Sequence, residues 1–154
     1  TLTATVLGYG SFSVGSDRLV APRMARDPRS ARYLLSADVA LRKARLSATY
    51  FAQTAPDARA CTADGFYLAE QMPNGATLAR VYEIVAVQPF APKQLKRDLA
   101  RRSIRRLTAL KRDLSLSSSE ICRRLGVSEG GDVLMAFTEC GGEVWAIELK
   151  ELTK

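Results

Sequence analysis

The stretch from Pro89 to Lys150 decides the fold: PFAPKQLKRDLARRSIRRLTALKRDLSLSSSEICRRLGVSEGGDVLMAFTECGGEVWAIELK. Pro92 suits the first turn of a helix, where its missing N–H costs nothing. Leu95 and Leu99, four apart, give that helix a narrow apolar stripe. Ile104 to Arg112 mixes β-formers with charges and predicts a strand. Ser117 with Glu120 makes a capping box, and Leu116 with Ile121 a hydrophobic staple around it. Gly126 predicts a left-handed stop. Gly130-Gly131 reads as a turn. Asp132–Cys140 and Glu143–Leu149 then read as a hairpin closed at Gly141-Gly142. In its second strand Trp145, Ile147 and Leu149 alternate with Val144, Ala146 and Glu148. Ahead of all this, Leu78 to Pro89 is a strand, with Val81, Ile84, Val85 and Val87 expected to be buried. The order strand, helix, strand, helix, strand, strand predicts an α+β fold, a mixed sheet with helices packed on it.

The same stretch concentrates the charge. Between Lys93 and Arg124 stand 11 Lys and Arg against 3 acids, a formal +8, whereas the whole 154-residue chain carries +7. A pI near 9.7 suits an anionic partner such as nucleic acid. With 47% hydrophobic residues the chain can build an ordinary core. It has no histidine, which removes Ser-His-Asp and Cys-His chemistry within the chain. Cys61, Cys122 and Cys140 are widely spaced. They argue against a zinc site and a disulfide framework and fit a reducing, cytoplasmic setting. No apolar run reaches membrane-spanning length, so no membrane partner is expected. The chain begins at Thr1 rather than Met, which suggests a piece of something longer.

Upstream the signals are local. Thr3 to Val14 reads as two short strands around Gly8-Tyr9-Gly10, with a further turn at Gly15-Ser16-Asp17. A nucleotide-binding glycine loop would need a third glycine near position 13 and a helix straight after. Position 13 is Ser, and the following residues are strand-like. Arg18 to Arg32, with two prolines and five arginines, reads as a solvated connector and a boundary between two units, residues 1–32 and 33–154. A phosphate-contacting arm is the second reading of that segment. Ala37 to Gln53 reads as a long helix capped by Ser36, with Leu35 stapled onto Ala40. Arg42, Lys43 and Arg45 form its solvated face. Ala58–Thr62 and Phe66–Glu70 are short strands around Asp64-Gly65.

Residues Tyr82 to Glu148 resemble the THUMP-like domain at the C-terminus of certain bacterial class I S-adenosylmethionine-dependent methyltransferases. The resemblance lies in EIVAVQPF (83–90), the basic helix PKQLKRDLARRSI, RRLTALKR (105–112), the capped helix ending EICRRLGV, and GGDVLMAFTECGGEVWAIEL. ARYLLSADVALRKARL (31–46) is similar to the segment that links the methyltransferase domain to this module, and TATVLG is weakly similar to the last strand region of that domain. The resemblance implies a non-catalytic accessory domain. S-adenosylmethionine would belong to a covalently preceding methyltransferase domain and not to this chain. The partner it implies is RNA, such as tRNA or rRNA.

Three functions compete. The first is RNA positioning through phosphate contacts from Lys93, Lys96, Arg97, Arg101, Arg102, Arg105, Arg106, Lys111 and Arg112, with backbone N–H groups at Ser117–Ser119 adding donors. Only Phe90 is near enough to stack on bases, which argues for backbone rather than base recognition. The second is a structural module that packs on the methyltransferase domain or mediates dimerisation, without nucleic acid. The third is a small complete enzyme built on Glu139 and Glu143. That pair reads more simply as a surface feature, since a site also needs a pocket and perturbed groups.

Overall fold

The computed structural model describes residues 1–6 and 8–152. Leu7 of the N-terminal hairpin and the last two residues of the 33–154 unit lie outside the described residues. Strands β1 (Leu2–Val6) and β2 (Gly10–Val14) form the expected antiparallel hairpin, in register from Leu2 opposite Val14 to Val6 opposite Gly10. A single 3-10 turn, Ser16–Arg18, follows. The remaining strands form one mixed sheet: β3 (Tyr33–Ala37), β4 (Arg59–Ala60), β5 (Tyr67–Ala69), β6 (Ala79–Pro89), β7 (Arg106–Arg112), β8 (Ser128–Cys140) and β9 (Glu143–Glu151). Their order across the sheet is β4-β5-β3-β6-β9-β8-β7. Helix α3 (Pro92–Arg101) and helix α4 (Ser118–Leu125) connect β6 to β7 and β7 to β8. The β8–β9 hairpin inserts between β6 and β7, so β9 pairs antiparallel with both β6 and β8, and β8 runs parallel to β7.

The sheet has two differently covered faces. On one, α3 and α4 bury Leu95, Leu99, Ile121, Cys122 and Leu125 against Leu107, Met135, Phe137 and Ala146. The other carries Leu34, Leu68, Tyr82, Ala136, Trp145, Ile147 and Leu149. Among the described residues no helix belongs to that cluster; Ala25, Cys61 and Phe66 from connecting segments cover it. The helix-free face curls. Arg112, at the end of β7, donates to Ser36 Oγ of β3 at 3.2 Å, although three strands separate the two in the sheet. Thr62 also donates to the Asp113 carboxylate across the same gap.

Two shorter helices, α1 (Val39–Lys43) and α2 (Ser47–Thr54), pack beside the hairpin on a third apolar cluster with Leu35, Ala37, Tyr67 and Ala69. This corrects the single helix expected over 37–53. Residues 33–37 are strand, because Leu34 and Leu35 each reach a core on opposite faces of the sheet. The N-cap is Asp38, whose carboxylate accepts from Ala40 N at 2.9 Å, and not Ser36. The helix then breaks at Arg45, which has φ 58°. Leu46 N donates to Leu41 O and Arg45 N to Arg42 O, the paired bonds of a Schellman stop, and both leucines are fully buried.

Two smaller expectations also change. Val85 is 57% exposed, because β6 has a register shift between Ile84 and Ala86 that turns it outward; Val81, Ile84 and Val87 are only half-buried. Gly130 and Gly131 lie within β8, where a shift against β7 between Leu107 and Thr108 absorbs them as a bulge. The Arg18–Arg32 segment is docked rather than free. Met24 bridges to Ala60, Arg29 stacks over Trp145 at 4.9 Å, and the Arg23 guanidinium donates to Pro56 O.

Candidate nucleic-acid interface

The caps read from sequence position the basic helices. Pro92 opens α3, and Leu95 and Leu99 turn its apolar edge to the sheet. Ser117 Oγ accepts from Glu120 N at 3.1 Å, and Gly126 ends α4 at φ 70°. The two helices share one apolar cluster, so their outward sides form a common surface. Lys93, Lys96, Arg97 and Arg101 are exposed on α3, Arg102 at its C-cap, and Arg123 and Arg124 on α4. The last two belong to the same charge run but were not among the nine predicted residues. Their place in the last turn before Gly126 is the signal that could have added them.

The nine predicted residues are not one patch. Arg102 makes a bidentate pair with Glu148, at 2.7 and 2.9 Å, and reaches Asp98 at 3.7 Å. The hydrogen bonds to Glu148 hold its guanidinium more firmly charged than usual. Arg101 pairs with Asp98 at 2.6 Å. These contacts neutralise much of the C-terminal end of α3. Lys93, Arg97 and Arg105 have no ion pair among the described residues, and the stem of Lys96 lies over Gly126 with its ammonium left to solvent. In β7 the period of two splits the rest. Leu107 and Ala109 face the helices, whereas Leu110 faces the other side with Arg112. Lys111 donates to Leu114 O at 3.3 Å, and Arg106 to Glu129 O at 3.3 Å. The N-terminus of α4 does not suit phosphate: Ser119 donates to Glu129 at 3.0 Å, and Glu120 occupies the first turn.

Arg112 sits instead against a cavity of about 680 Å³ on the helix-free face, with Ser36, Arg42 and Arg80. Its guanidinium stacks over Phe66 at 5.1 Å and donates to Lys111 O at 2.9 Å. Burial first, and the nearby Arg42 charge second, make it easier to deprotonate than an ordinary arginine. The Gly8–Gly10 turn closes an antiparallel hairpin and the chain continues as strand, so these glycines do not fit the strand–loop–helix that would cradle S-adenosylmethionine. Among the described residues no three His, Cys, Asp or Glu side chains converge on a metal-sized site. No helix there is long and apolar enough to cross a membrane.

A mixed sheet with helices α3 and α4 on one face and a curled opposite face defines an α+β module. Residues 79–151 match the family described as THUMP domain-like. Among solved structures, a presumed methyltransferase from Porphyromonas gingivalis W83 superposes with a TM-score of 0.70 at 19% identity, over 84% of this chain and 32% of that one. TrmN from Thermus thermophilus aligns over 79% of this chain and 46% of that one, at 14% identity and a TM-score of 0.39, too loose to define shared topology. This chain thus spans about a third of the first of these structures. The chain has no match among curated proteins.

Proposed function

We propose that this chain is an accessory domain of an S-adenosylmethionine-dependent methyltransferase and holds RNA by its phosphates on the outward side of α3 and α4. The observation that carries the reading is the group of exposed cations, Lys93, Lys96, Arg97, Arg123 and Arg124, on a rigid two-helix layer of a THUMP-like domain. Phosphate contacts supply affinity and orientation with little sequence information. Base selection and methyl transfer then fall to the catalytic domain. Recurrence of the fold in a much longer, presumed methyltransferase supports the accessory role.

The test is binding of tRNA or another structured RNA across a salt series. Each phosphate contact contributes about −0.9 to the slope of log K against log salt. Lys93→Glu/Lys96→Glu/Arg97→Glu should flatten that slope by about one per lost contact. Charge reversal at Arg101, Arg102, Arg105 and Arg106 should weaken binding less per residue, because Arg101 and Arg102 are already paired with acids. Salt-independent binding, or none, would instead favour the structural reading. The exposed Leu19, Val20 and Met24 would suit packing on a neighbouring domain in that case.

A further inference from the structure

We propose that the cavity on the helix-free face is a second, separate binding site, and that Arg42 and Arg112 there grip the phosphate of a nucleotide. It does not rest on the α3–α4 surface; either could hold without the other. Three observations converge on it. First, Arg112 is fixed before any ligand arrives, by its stack on Phe66 and its hydrogen bonds to Ser36 Oγ and Lys111 O. Second, Arg42 lines the same cavity, and its Nε is buried with no hydrogen-bond partner among the described residues. Third, the acids that line the cavity are already engaged. Asp38 caps α1 through Ala40 N, and Glu151 pairs with Arg80 at 3.6 Å.

Two guanidinium groups therefore line one concave space whose carboxylates, Asp38 and Glu151, each already have a partner, while Asp113 beside Arg112 accepts from Thr62. Partly buried like charges repel, and an unpaired buried donor is costly to keep. A dianionic phosphate removes both penalties, because its oxygens can accept two parallel N–H bonds from each guanidinium fork. Ser36 Oγ stands 3.2 Å from Arg112 Nη2 and can offer a further hydroxyl donor. A cavity of about 680 Å³ has room for the attached nucleoside as well. The phosphate could come from a free nucleotide or from the end of an RNA strand; the chemistry at the two arginines is the same.

The experiment titrates the full chain with adenosine 5′-monophosphate, inorganic phosphate and adenosine, followed by NMR at the Ser36, Arg42 and Arg112 signals. The expected result is saturable shifts with the monophosphate, weaker ones with inorganic phosphate and none with adenosine. Arg42→Gln and Arg112→Gln should each weaken binding about tenfold or more, the worth of a lost charge-assisted hydrogen bond. Lys93→Gln/Lys96→Gln should leave it unchanged. Should Arg112→Gln disturb the curled sheet, Arg42→Gln still decides, since no other side chain among the described residues hydrogen-bonds to Arg42. A 5′-phosphorylated tetraribonucleotide that binds more tightly than the mononucleotide assigns the phosphate to RNA; equal binding assigns it to a free nucleotide. Absent shifts, equal shifts with adenosine, or binding indifferent to Arg42→Gln would overturn the proposal.

Discussion

Tyr67 buries a hydroxyl that has no hydrogen-bond partner among the described residues. Burial, with the Asp64 charge as the smaller cause, pushes its phenol up from 10 to about 12. The folded state thus holds this proton where the unfolded chain releases it. Stability is unaffected below the unfolded pKa and falls as pH rises from 10 towards 12. Tyr67→Phe should flatten that alkaline fall. At neutral pH it should leave stability unchanged or raise it by up to ~1 kcal/mol, because an orphan hydroxyl is removed. Urea unfolding at pH 7 and pH 11 checks both statements. Gly141 is the opposite case. It turns the β8–β9 hairpin at φ 63°, and a Cβ there would lie 1.8 Å from the Arg26 carbonyl oxygen. Gly141→Ala must push the docked connector away, at a cost of about 1–3 kcal/mol, read as a lower midpoint in thermal unfolding. The turn glycines were legible as a turn. The close approach of Arg26 was not, since it comes from a segment more than a hundred residues away in sequence.

At the scale of elements, one device recurs. Helices α1, α3 and α4 all end in paired Schellman bonds around a left-handed residue: Arg45, Ser103 and Gly126. An apolar pair spans each stop, Leu41 with Leu46, Leu99 with Ile104, and Cys122 with Val127. Only the third has the glycine that marks such a stop in sequence. The other two accept left-handed strain, of order 1 kcal/mol, in exchange for apolar contact across the turn. Arg45→Gly and Ser103→Gly should therefore raise stability by ~0.5–1 kcal/mol, and Gly126→Ala should lower it by about 1 kcal/mol, in chemical denaturation. Ser117→Ala should lower it by a further ~1 kcal/mol through loss of the cap on Glu120 N. The missed break at Arg45 follows directly. Periodicity alone joined residues 37–53, while the burial of Leu41 and Leu46 on the sheet stops the helix between them.

For the whole molecule, the three cysteines report on cooperativity. All are buried as free thiols, Cys61 and Cys140 under the helix-free face and Cys122 under the helices. The neighbouring Cys140 thiol, with burial, pushes the Cys61 thiol well above its ordinary value, and burial raises Cys122. An aromatic disulfide reagent should label none of them in the native state at neutral pH. In increasing urea all three should label together if the seven-stranded sheet unfolds as one unit, as its continuous pairing from β4 to β7 leads us to expect. Earlier labelling of Cys61 and Cys140 would mean that the thinner, helix-free cover opens first. Mass spectrometry of each cysteine peptide separates the two outcomes.

Local chemistry in the sequence determined the elements from Leu78 onward. Pro92, the Ser117–Glu120 box, Gly126 and the alternation around Trp145 act within a few residues, and α3, α4 and β9 lie where those signals put them, whereas β8 begins at Ser128, ahead of the turn expected at Gly130-Gly131. The density of positive charge was equally visible. Tertiary structure alone decided how that charge is divided. Acids at 98 and 148 neutralise Arg101 and Arg102, the two-residue period of β7 sends Arg112 to the opposite face, and the curl of the sheet brings it to Ser36 and beside Arg42. Such contacts join residues far apart in the chain. They depend on strand order and sheet curvature, which no local propensity encodes.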